Sequence, residues 1–60
     1  MNTPIKILLV DDDVRNAGLL RRFLEAEGYE VAFAANGREG YDIYKTFSPD
    51  LILLDINMPE

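Results

Sequence analysis

Sixty residues without a single cysteine or histidine allow one small domain and exclude disulfides, thiolate chemistry and any imidazole base or ligand. Eleven acidic residues against 6 basic ones give a formal charge of −5, and no basic run points to nucleic acid; Arg21-Arg22 is a pair on a predicted helix face. The apolar runs are far too short to cross a bilayer, and Met1-Asn2-Thr3-Pro4 leads into no secretion signal, so the expectation is a cytoplasmic protein that meets neither membrane nor nucleic acid.

Residues 5–10 are continuously apolar apart from Lys6, as in a central strand buried on both faces. Lys6 falls near the strand start, where its stem can lie on apolar surface with the amine in water. Residues 14–27 predict a helix with Ala17, Leu20 and Leu24 on its inner stripe and Phe23 flanking it. Gly28 stops that helix, since a left-handed cap costs glycine little. Residues 29–34 alternate like a half-exposed edge strand. Asn36-Gly37 predicts a turn in which Asn36 caps a second helix over 38–47, with Tyr41, Tyr44 and Phe47 turned inward as core. Ser48-Pro49 ends that helix, because proline disfavours helical backbone at the residue before it. Residues 51–54 (Leu-Ile-Leu-Leu) form a third strand.

The resulting βαβαβ unit predicts a parallel three-stranded sheet in order 2-1-3, with right-handed crossovers and one helix on each face. The first strand is the most uniformly apolar and belongs in the middle. In such a sheet the C-terminal ends of the strands share the edge where ligands bind. Asp11-Asp12-Asp13 closes the first strand and Asp55 closes the third, so both acidic ends should meet in one crevice. Clustered carboxylates suit a hard divalent cation such as Mg²⁺. Taken singly, each aspartate has a plainer explanation: Asp13 as a helix cap, Asp55 as a strand terminator.

Taken together, Leu8-Leu9-Val10-Asp11-Asp12-Asp13, Gly28-Tyr29-Glu30-Val31, Ala35-Asn36-Gly37-Arg38-Glu39 and Pro49-Asp50-Leu51-Ile52-Leu53-Leu54-Asp55-Ile56-Asn57-Met58-Pro59 resemble a bacterial response-regulator receiver domain over residues 5–60. The resemblance implies a flavodoxin-like α/β fold and a phosphoacceptor module of two-component signalling rather than an enzyme in the usual sense. Asp55 matches the residue that accepts a phosphoryl group from a histidine kinase. Asp11 and Asp12 match the acidic pair at the Mg²⁺ site, Asp12 as the direct ligand and Asp11 acting mainly through water. Asn57 matches the position whose backbone carbonyl completes the protein ligands, and its side chain the position that tunes dephosphorylation. The physical reason is charge: a carboxylate attacking a phosphoryl group brings two anions together, and a divalent cation offsets their repulsion.

The receiver fold has five strands in order 2-1-3-4-5, so residues 1–60 correspond to a truncated domain holding the first three strands and two helices. A Ser or Thr after the fourth strand and a Lys after the fifth have no counterpart among them, and for these sixty residues alone Mg²⁺ binding is expected to be weak and phosphorylation slow or absent. A domain this small buries only about 60% of the surface its unfolded chain exposes. The third strand, Leu51, Ile52, Leu53 and Leu54, would be an apolar edge open to pairing, and the expectation is a homodimer through that edge or by exchange of the C-terminal segment. A self-associating half-fold, natural or engineered, with no phosphotransfer is the reading from a different functional class. A separate chain that completes the domain is a third.

Overall fold

A computed structural model describes residues 3–54 of the chain. Five elements follow in order: β1 (Lys6–Val10), α1 (Val14–Ala26), β2 (Glu30–Ala34), α2 (Gly37–Phe47) and β3 (Leu51–Leu54). The strands form one parallel sheet in the order β2-β1-β3, the topology that the apolar character of β1 predicts. Register is set by Lys6 opposite Glu30 and Val10 opposite Ala34 on one side, and by Ile7 opposite Leu51 and Val10 opposite Leu54 on the other. Ile5 falls outside β1 and is half exposed, although its carbonyl still accepts from the Glu30 amide at 2.9 Å.

Side chains alternate across β1, so its two faces serve two helices. Ile7 and Leu9 pack with Ala17 of α1 and Val31 of β2, with Leu20, Leu24, Tyr29, Phe33 and Leu53 around them. Leu8 and Val10 face α2. There Gly40 brings the helix so close that a Cβ would lie 3.1 Å from Val10 Cγ2. Both crossings are therefore close-packed on β1.

The helix ends are specified locally. Gly28 takes φ +100, the left-handed stop expected of it. Asn36 caps α2: its Oδ1 accepts from the Glu39 amide at 2.9 Å, while Glu39 Oε1 accepts from the Ala35 amide at 2.9 Å. The far end of α2 closes on Ser48, which takes the left-handed conformation (φ 52) just before Pro49.

One expectation changes in detail: Tyr41 and Tyr44, expected as core, are exposed, and Phe47 is only half-buried. Neither helix lies over β3, which makes its element contacts with β1 alone. Tyr41 and Tyr44 consequently line an open groove of about 390 Å³ with Leu8, Val10, Ile52 and Leu54 instead of sealing a core. Lys6 is half-buried, as a stem lying on apolar surface requires. Its Nζ donates to the Phe47 carbonyl at 3.2 Å and lies 5.4 Å from the Phe47 ring centroid, tying the start of β1 to the end of α2. Asp50 closes the same corner, its carboxylate accepting from the Lys6 amide at 2.8 Å.

Candidate functional site

The C-terminal end of β1 runs directly into the acidic segment. The Asp11 amide donates to the Ala34 carbonyl at 3.0 Å, so strand pairing continues one residue past Val10 and pins the Asp11 backbone. Its side chain is 2% exposed, the one buried charged side chain among the described residues. Burying a carboxylate is costly unless donors satisfy it. Here Oδ1 accepts from the Asp13 amide at 2.9 Å and Oδ2 accepts from Asn16 Nδ2 at 3.1 Å. Asp12 is exposed beside it.

Asp13 has the plainer of its two roles. Its backbone is extended (φ −96, ψ 99), and Oδ1 accepts from the amides of Arg15 and Asn16 at 3.1 and 3.2 Å, which makes it the N-cap of α1. Three consecutive aspartates thus divide by position: Asp11 inward, Asp12 to solvent, Asp13 onto the helix end.

Asn16 was not marked by motif or composition. It stands in the first turn of α1, and its amide side chain reaches back five residues to Asp11. The available signal was its spacing: an amide in the first turn after an acidic strand end can reach back over the cap.

Across the sheet, Val10 and Leu54 are register partners. Asp55 follows Leu54 directly in the sequence and Asn57 follows two residues later; both lie outside the described residues, as does Met58-Pro59. Of the four positions expected at a metal site, Asp11 and Asp12 are therefore described. Among the described residues, no three His, Cys, Asp or Glu side chains come together as a metal-binding group. The donor chemistry that is present, an oriented buried carboxylate beside an exposed one, fits a hard cation and offers no soft ligand. The basic residues Lys6, Lys45 and Arg38 all serve elsewhere or face solvent: Lys6 at the opposite end of the sheet, and Lys45 4.8 Å from the Tyr41 ring centroid and 3.8 Å from Asp42.

Residues 7–60 match the family described as the response regulator receiver domain. The chain belongs to that family. It is 42% identical over 57 residues to the polar-differentiation response regulator DivK of Brucella anthropi, covering 95% of this chain and 46% of DivK. It is 45% identical over 56 residues to the response regulator MprA of Mycolicibacterium vanbaalenii, covering 93% of this chain and 24% of MprA. The cell cycle transcriptional regulator CtrA of Caulobacter vibrioides is 39% identical over 56 residues, again with 93% of this chain and 24% of the relative covered. The chain therefore spans about half the length of DivK and about a quarter of MprA and CtrA. Membership accounts for the fold: the parallel β2-β1-β3 sheet with a helix on each face is the first part of a flavodoxin-like receiver. No helix among the described residues is long and apolar enough to cross a membrane.

Proposed function

We propose that this receiver chain accepts a phosphoryl group on Asp55 from a phosphohistidine of a histidine kinase, with Mg²⁺ held by Asp11, Asp12, Asp55 and the Asn57 carbonyl. The observation that carries this is the placement of Asp11 and Asp12 at the end of β1, beside a strand whose next residue is Asp55. In the transfer, an Asp55 carboxylate oxygen bonds to phosphorus as the phosphorus–nitrogen bond breaks, and the electron pair stays on the leaving imidazole. Bound Mg²⁺ supplies charge neutralisation between the two anions. The chain's own contribution is positional. Sheet pairing holds the Asp11 backbone, donors from Asp13 and Asn16 fix its carboxylate, and the α1 cap keeps Asp13 out of the site. The role is that of a phosphoacceptor module in a cytoplasmic relay, with self-catalysed transfer at most. Divalent-dependent labelling of Asp55 by acetyl phosphate tests it; labelling that ignores Mg²⁺ would count against it.

A second reading rests on the exposed edge. β3 pairs only with β1 among the described residues, and Leu51, Ile52 and Leu54 are 48%, 42% and 60% exposed. An unpaired apolar strand edge recruits another strand. The sixty residues by themselves are expected to associate as a homodimer in which Leu51–Leu54 pairs with its symmetry mate. Sedimentation equilibrium should show mass rising with concentration, and Ile52→Lys should return the chain to monomer. A wild-type monomer at every concentration would refute the association.

A further inference from the structure

Asp11 is buried at the end of β1, and its two carboxylate oxygens are held from two different directions. One donor is the backbone of its own loop, the Asp13 amide, which every substitution at position 13 except proline preserves. The other is the Asn16 side chain, which can be removed by mutation. Asn16 is also fixed at its own backbone, because its amide nitrogen donates to the Asp13 cap. The residue therefore joins two structures. Its main chain belongs to the first turn of α1, and its side chain belongs to the acidic strand end.

We infer that Asn16 is a positioning residue for the metal site, orienting the buried Asp11 carboxylate toward the cation through the bond from Nδ2 to Oδ2. Three observations support this. The bond is 3.1 Å long and joins a side chain on α1 to a carboxylate that is 2% exposed. Asp11 is buried, so a donor from the protein takes the place of the water that would otherwise satisfy Oδ2. Finally, Asn16 itself is exposed and contributes nothing to the apolar core, so packing does not explain its side chain. Outer-shell donors of this kind orient metal ligands, and losing one typically weakens metal binding about 10–100-fold. The inference rests on the metal site proposed above.

The test uses the sixty-residue chain with Mn²⁺ as the probe, bound ion being read from the loss of the free-ion signal in electron paramagnetic resonance. Asn16→Leu keeps the bulk and removes the donor, and Asn16→Ala removes both. Each is expected to weaken Mn²⁺ binding about tenfold. Ala26→Gly serves as the structural control, since it weakens α1 at its last turn, ten residues along the helix from Asn16, without changing charge. It should lower the melting temperature while leaving Mn²⁺ affinity within about twofold of wild type, because distant sites with no shared partner act independently. If either Asn16 variant binds Mn²⁺ like the wild type, the inference is wrong and the metal site stands. If Ala26→Gly loses as much affinity as Asn16→Leu, general loosening of α1 explains the effect and the inference is again wrong. If the wild-type chain itself shows no saturable Mn²⁺ binding, the metal site fails and takes the inference with it.

Discussion

Leu9→Ala is expected to leave most of the chain unfolded at 25 °C. Leu9 is 1% exposed at the centre of β1, packed in the cluster that joins Ile7, Val31 and Ala17 of α1. Truncating a buried leucine costs about 2–5 kcal/mol, the lost transfer energy plus the cavity left behind. A core in a domain below about 70 residues rarely supplies more than about 3–5 kcal/mol. The loss is therefore comparable with the whole stability. Leu19→Ala is the matched control: Leu19 is 67% exposed on α1, and surface changes of this kind stay within about 0.5 kcal/mol. Far-UV circular dichroism through a urea titration separates the two. Coincident curves for Leu9→Ala and Leu19→Ala would contradict a core centred on β1.

Asp12→Ala should act in the opposite sense on the apo chain and remove its response to metal. Asp12 is exposed between Asp11 and Asp13, so its charge costs stability through repulsion and contributes no packing. Without metal, the variant should melt at or slightly above the wild-type temperature. A ligand that binds only the folded chain stabilises it by about 2.7 kcal/mol at a hundred times its Kd. Wild type should therefore gain stability in excess Mg²⁺. Asp12→Ala, lacking the carboxylate proposed as the direct ligand, should lose most of that gain. Melts in Mg²⁺ and in a chelator measure both effects. A variant that keeps the full Mg²⁺ increment would remove Asp12 from the ligand set.

The fold was legible because its signals are local and consistent. An uninterrupted apolar run marks β1 as central, Gly28 takes the left-handed stop, and Asn36 with Glu39 caps α2 reciprocally. Strand order followed from the contrast between β1 and the alternating β2. Helical periodicity identified which side of α2 faces the sheet, but it carries no information on whether anything lies over that side. Tyr41 and Tyr44 were therefore expected in a core, and they border an open groove over Ile52 and Leu54.

The candidate site was legible in part. Repeated aspartates after a strand mark a carboxylate edge, and Asp13 as helix cap follows from ordinary capping chemistry. The division of labour among Asp11, Asp12 and Asp13 depends on where strand pairing ends, which the Asp11 amide bond to Ala34 fixes one residue beyond β1. The bond from Asn16 to Asp11 depends on how α1 leaves the loop, and adjacent letters do not encode that geometry. Asp55 and Asn57 rest on family membership and on their place in the sequence after β3.

The most direct test of the central claim is to incubate the chain with acetyl phosphate in Mg²⁺ and map the modification by mass spectrometry of peptides. One phosphoryl group per chain is expected, located on Asp55, accumulating slowly, absent in chelator and absent in Asp55→Asn. Phosphate on another residue, labelling that survives chelation, or undiminished labelling of Asp55→Asn would contradict it.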